Sequence, residues 1–87
     1  MKLDDILDLT VTGPAETHRL RAMIVRSGGW IGHRHTVLTV EQFNGEVLAV
    51  REYDLASGEY QRTVFVEAEN VIGLSFDLDH DPLEVKP

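Results

Sequence analysis

Residues 50–66, with the sequence VREYDLASGEYQRTVFV, decide the fold. Two runs rich in valine, tyrosine and phenylalanine flank the loop residues 54–58, DLASG, a pattern typical of a β-hairpin. Asp54 can accept hydrogen bonds from turn amides, and Gly58 can adopt a positive φ. The segment therefore predicts two antiparallel strands joined by a short loop.

The second strand of this hairpin is apolar on both of its faces. Val64 and Val66 alternate with Phe65, so neither face is polar. A strand of this kind needs cover on both sides. We expect the N-terminal helix or another subunit to cover the outer face.

The rest of the chain continues the β pattern. Asn44-Gly45 separates two runs rich in β-branched residues and is a strong hairpin signal. The last predicted strand, NVIGLSFDL, places Ile72, Leu74 and Phe76 on one face.

Two N-terminal segments carry different signals. Leu3, Ile6 and Leu7 share one face of a predicted helix in residues 1–12. Residues 14–26 fit either a helix or a strand. Alternating Leu20, Ala22 and Ile24 favour the strand, like everything downstream.

The 87 residues predict one domain, with a helical arm at 1–12 and an acidic, flexible tail at 78–87. The predicted fold is mainly β: a short N-terminal helix and about five antiparallel strands in a small, strongly bent barrel.

Composition excludes several classes of protein. The chain has no cysteine, which excludes disulfides and thiolate metal sites. Its longest fully apolar run is AMIV, too short to span a membrane, and its N-terminus does not resemble a signal peptide. A cytoplasmic location is therefore the default expectation.

Charge is distributed unevenly along the chain. The net charge is −7, which disfavours sequence-independent binding to nucleic-acid phosphates. Residues 1–34 carry five basic and four acidic groups, whereas residues 35–87 carry three and eleven. Nucleic acid is therefore retained as an alternative partner only through a local arginine patch.

His33 and His35 are the candidate metal ligands. On a strand, residues two apart point to the same side, which would suit two ligands of a zinc or nickel site. No third ligand is identifiable, so metal binding is a minor alternative and no cofactor is expected.

The sequence gives only weak indications of catalysis or of base stacking. Ser27, Ser57 and Ser75 lack an activating motif, so we predict that the protein is not an enzyme. Tyr60 and Arg62 would lie on one side of their strand and, with Tyr53, could stack bases. The favoured interpretation is packing, with the Arg62 stem over a tyrosine ring.

Residues 19–76 resemble the WYL domain, a small SH3-like or Sm-like β-barrel of bacterial transcription regulators and defence proteins, and the resemblance implies that the predicted barrel is of this kind. The segments that match in order are RLRAMIVRSGG, RHTVLTV, NGEVLAVREYD, SGEYQRTVFV and ENVIGLSF. The namesake tripeptide is replaced by Leu48-Ala49-Val50, and the closing Asp-Arg-Ile by Glu69-Asn70-Val71.

The resemblance implies a ligand of nucleic-acid or nucleotide type. Only Arg34 and Arg62 keep the family's basic character at matching positions. Sm-like domains, which the layout resembles equally, assemble into rings, but their RNA-contacting residues are here Glu-Ala-Glu-Asn.

The leading hypothesis is a non-catalytic interaction or assembly module that forms a homo-oligomer or binds a protein partner. The alternative is a regulatory domain that binds nucleic acid or a nucleotide-type ligand. Its candidate ligand residues are Arg19, Arg21, Arg34, Tyr53, Tyr60 and Arg62.

Overall fold

A computed structural model describes residues 1–11 and 19–77, which form one α-helix, six strands and one 3-10 turn. The elements are α1 (Leu3–Val11), β1 (Arg19–Val25), β2 (Trp30–Gly32), β3 (Thr36–Asn44), β4 (Val47–Asp54), β5 (Tyr60–Glu67), the 3-10 turn (Ala68–Asn70) and β6 (Val71–Asp77). The mainly β class is confirmed. There are six strands rather than about five, because residues 33–35 separate β2 from β3. The predicted tail at 78–87 lies outside the described residues.

The strands form two antiparallel sheets of three strands each. Their orders are β2-β1-β6 and β3-β4-β5. The pairing within residues 19–77 does not join the two sheets into a closed barrel. Residues 33–35 lead the chain from the first sheet to the second, and the 3-10 turn leads it back.

Local signals placed the elements well. The predicted hairpin turn separates β3, which ends at Asn44, from β4, which begins at Val47. In the turn at 54–58, the Asp54 carboxylate accepts the backbone N–H of Ser57 at 2.9 Å. The strand prediction is confirmed for residues 19–25, and residues 12–18 lie outside the described part of the chain.

The core lies between the two sheets and the helix. Its fully buried large side chains come from α1, β1, β4 and β6: Ile6, Met23, Leu48, Val50 and Val71. Each contributes roughly 1.5–3 kcal/mol when it leaves water. The helix is too short to be stable alone. It is stabilised by its predicted apolar face, which packs against the core.

Two expectations about exposed apolar residues need correction. Ile72 is 54% exposed, although Leu74 and Phe76 pack against the core as predicted. The register shift beside Val25 leaves Ile72 between two paired residues, which breaks the alternation.

Phe65 is the second case, because α1 does not cover it. The helix contacts β3 and the 3-10 turn, and Phe65 stays 56% exposed. Val64 and Val66 do pack against the core. Within the described residues, the outer face of β5 is therefore uncovered.

Candidate functional site

An open groove of about 660 Å³ lies where β1, β2 and β6 meet residues 33–35. We call it the β1–β2–β6 groove. It is lined by two arginines, two histidines, two large aromatic residues and three small residues: Arg21, Arg34, His33, His35, Trp30, Phe76, Ala22, Gly32 and Ser75. None of these is acidic, although the chain has a net charge of −7.

Thr36 organises the loop that forms one wall of this groove. Its side chain is buried, and its hydroxyl accepts the backbone N–H of His33 at 2.8 Å. The same hydroxyl lies 2.8 Å from the carbonyl oxygen of His33 and 3.0 Å from that of Arg21, and it can donate its proton to either. The backbone N–H of Thr36 donates to the carbonyl oxygen of His33 at 3.0 Å, which closes the turn.

Gly32 allows the loop to leave β2 in this direction. Its φ is +82°, a conformation that side chains disfavour. An added Cβ would lie only 2.5 Å from the carbonyl oxygen of Arg21. The position therefore requires glycine for both its conformation and its space.

The loop of the 50–66 segment is hydrogen-bonded to the loop that lines the groove. The backbone N–H of Leu55 donates to the carbonyl oxygen of His35 at 2.8 Å. The pKa of Asp54 is lowered, mainly by the backbone N–H and hydroxyl of Ser57, with a smaller effect from nearby His35. The two loops thus form one continuous hydrogen-bonded unit.

The structure brings together only some of the predicted ligand residues. Arg21 and Arg34 share the groove. The Nε of Arg21 donates to the carbonyl oxygen of Thr36 at 2.9 Å, which orients the guanidinium. Arg19 instead lines a separate, smaller hollow with Thr10 and Val40.

Arg62 forms an ion pair instead of lying over a tyrosine ring, which was the favoured interpretation of the sequence. It lies directly opposite Glu52, and its Nε donates to that carboxylate at 3.1 Å. The side chain of Glu52 is only 10% exposed, so this arginine compensates a nearly buried charge.

Tyr60 lies on the other face of the sheet from Arg62. A register shift between Glu52 and Tyr53 pairs Tyr60 with Tyr53, so the alternation that put Tyr60 beside Arg62 fails. The two tyrosine rings pack edge to face at 5.9 Å, and the Tyr60 hydroxyl contacts that of Thr63. The cross-strand packing is thus between tyrosines.

His33 and His35 lie side by side, but the one ring hydrogen bond between them does not favour His33 as a metal ligand. Their ring centroids are 5.9 Å apart. The Nδ1 of His33 accepts the backbone N–H of His35 at 3.1 Å. A metal-bound histidine usually donates its second ring N–H, which this bond prevents. No group of three metal-ligating side chains occurs within residues 1–11 and 19–77.

A second surface lies along β5. Phe43 and Phe65, both exposed, form a tilted ring pair with centroids 4.8 Å apart. An open groove of about 460 Å³ borders the strand, which we call the β5 groove. Apolar and polar residues line it: Val25, Ile31, Val64, Phe65, Val66, Arg26, Ser27 and Asn70.

Sequence reasoning missed Trp30, Thr36 and Phe76 as parts of one site. The tryptophan beside two glycines and two histidines was the available signal. The contribution of β6 depends on its pairing with β1, which the local pattern does not give.

No protein-family model, curated protein or solved structure matches the chain. Within the described residues, no helix is long and apolar enough to cross a membrane. The expected cytoplasmic location and absence of enzymatic activity stay predictions.

Proposed function

We propose that this protein is a non-catalytic interaction module that self-associates through strand β5 and the exposed face beside it. One observation carries the proposal: within the described residues, β5 pairs only with β4 and presents an exposed Phe65 at an unpaired edge.

An unpaired strand edge is a template for another strand. Its backbone N–H and C=O groups are available for pairing unless charges, proline or a covering segment block them. The eight residues of β5 contain no proline. Of their two charged side chains, Arg62 is paired with Glu52 and Glu67 lies at the end of the strand. The β5 groove gives an added strand space. The side chains of Val64 and Val66 supply apolar contacts along that groove.

The phenylalanine pair adds a reason for association. Phe43 and Phe65 form an exposed apolar patch on the outer face of the sheet. Paired aromatic rings on a surface are typical of interaction sites, because they bury a large area at low entropic cost.

A second copy of the chain is the occupant that we favour. A domain of 87 residues has a small core, and self-association is a common source of additional stability. The copy also offers a complementary edge, because β6 pairs only with β1 among the described strands. Ile72 is exposed on that strand.

Native mass spectrometry and light scattering at micromolar concentrations test the proposal. We expect a discrete oligomer in the unmodified protein and its dissociation in Phe65→Gln. Trp30→Gln is the matched control, since it removes a similarly exposed aromatic ring from another strand. Ile72→Gln reports whether β6 is the partner edge. A monomer over the whole concentration range would contradict the proposal.

We further propose that the two sheets form a small SH3-like or Sm-like barrel of the WYL kind. The shared core and the two short connections, at residues 33–35 and 68–70, support this arrangement. An experimental structure with backbone pairing between the two sheets would establish it, and two separately stacked sheets would contradict it.

The second candidate function is a regulatory domain that binds nucleic acid. The sequence predicted four ligand arginines, but fewer of them support this function in the structure. Arg62 pairs with Glu52, and only Arg21 and Arg34 share a groove. It predicts binding of single-stranded RNA or DNA that weakens as salt rises. No detectable binding at low salt would contradict it.

A further inference from the structure

The β1–β2–β6 groove differs in charge from the rest of the molecule. Among the residues that the structure describes, two arginines and two histidines line it and no acidic side chain does. A short cationic groove on a chain of net charge −7 attracts a small anion. A long polyanion would extend beyond the groove, where the net negative charge of the chain opposes its binding.

Trp30 supplies an aromatic platform at the same place. Its side chain is 59% exposed and lines the groove. Among the described residues, no other aromatic ring packs on it: the ring pairs are His33–His35, Phe43–Phe65 and Tyr53–Tyr60. The indole face is therefore accessible to a planar group of a ligand.

The polar groups beside Trp30 are held in place before any ligand arrives. The Nδ1 of His33 accepts the N–H of His35, which leaves Nε2 as the ring nitrogen that carries a proton and can donate it. Arg21 is oriented by its bond to the carbonyl oxygen of Thr36. Groups held in this way lose little freedom on binding.

Arg34 is the charged group best suited to contact a ligand. It is exposed in the loop, lines the groove, and forms no hydrogen bond or ion pair with a residue that the structure describes. A guanidinium in this state can bind a phosphate or carboxylate with two parallel hydrogen bonds.

We propose that the β1–β2–β6 groove binds a small aromatic anion, whose ring stacks on Trp30 and whose single phosphate or carboxylate contacts Arg34 and His33. The site is separate from the β5 edge. Ligand binding in this groove is therefore a further function, independent of the proposed self-association. The groove volume lies in the range of small-molecule sites.

The fluorescence of Trp30 tests this proposal directly, because it is the only tryptophan of the chain. The probes are adenosine 5′-monophosphate for the phosphate source and 2-naphthoate for the carboxylate source. We expect saturable quenching by at least one probe at up to millimolar concentrations. Amide chemical shifts of residues 30–36 provide a second, independent readout and separate binding from optical absorption by the probe.

Matched probes separate the two parts of the ligand. Adenosine lacks the anion and inorganic phosphate lacks the ring, so each should bind about tenfold or more weakly than adenosine monophosphate. The corresponding pair for 2-naphthoate is 2-naphthamide and acetate. The probe series that saturates identifies the source of the anion.

The key variant is Arg34→Gln, with Arg51→Gln as its control. Arg51 is an arginine outside the groove that pairs with Glu41. We expect Arg34→Gln to weaken binding about tenfold and Arg51→Gln to leave it unchanged. Three results would overturn the proposal: no saturable response to any probe, equal weakening in both variants, or tighter binding of a single-stranded oligonucleotide than of the monophosphate. The Phe65→Gln variant should bind normally, which keeps this test independent of the proposed assembly.

Discussion

Replacing Gly32 with alanine tests the close contact between residue 32 and the carbonyl oxygen of Arg21, which shapes the groove. Gly32 has φ +82°, and an added Cβ would lie 2.5 Å from the Arg21 carbonyl oxygen, 2.9 Å from Thr36 Oγ1 and 3.0 Å from Leu38 Cδ2. The nearest of these is a backbone atom and cannot rotate away. Strand β1 would have to move from β2, whose pairing aligns Ala22 with Gly32.

Gly58 provides a control with nearly the same backbone conformation. Its φ is +76°, and an added Cβ would meet nothing within 4 Å. Gly58→Ala therefore carries only the cost of a left-handed alanine, about 1–2 kcal/mol. Gly32→Ala carries that cost and a further overpacking cost of about 1–3 kcal/mol.

Urea unfolding monitored by circular dichroism measures the two losses of stability. We expect the free energy of unfolding to fall about 1–3 kcal/mol further in Gly32→Ala than in Gly58→Ala. All samples should be compared at one protein concentration, because self-association would add to the apparent stability. Equal losses in the two variants would refute the argument that the space around residue 32 is filled.

Two more predictions concern the Arg62 ion pair and the turn at 54–58. Arg62→Ala should cost about 1–3 kcal/mol because it leaves the nearly buried Glu52 carboxylate without this partner, whereas Arg51→Ala, at an exposed pair, should cost below about 1 kcal/mol. Equal losses in urea unfolding would contradict this. The carboxyl carbon of Asp54 should titrate by NMR below pH 3.8, the ordinary aspartate value, because the backbone N–H and hydroxyl of Ser57 stabilise the charged form. Since the folded pKa is lowered, its contribution to stability is present above pH 3.8 and is lost as pH falls through the folded pKa. Ser57→Ala should raise this pKa but leave it below 3.8, because the backbone N–H remains, and a midpoint at or above 3.8 in the unmodified protein would contradict the assignment.

Local chemistry explains how much of the fold was predictable. Turn residues act within a few positions, so the hairpins at 44–47 and 54–60 followed from Asn44-Gly45 and from Asp54 with Gly58. The helix followed from the spacing of Ile6 and its apolar neighbours, and its burial agrees with that spacing.

Register shifts explain the errors. One extra residue in β5 places Tyr60 and Arg62 on opposite faces, and one in β6 exposes Ile72. A strict alternation cannot anticipate such shifts, since they depend on the partner strand.

The sequence by itself determined the secondary structure of the 50–66 segment, because its turn chemistry and strand propensity are local. Only the tertiary structure decided what surrounds it. It paired Arg62 with Glu52, left Phe65 uncovered beside an unpaired edge, and brought residues 33–35 to Ser75 and Phe76 of β6. Those contacts join residues distant in the chain, and pairing and burial of the whole sheet fix them rather than the preferences of any one segment.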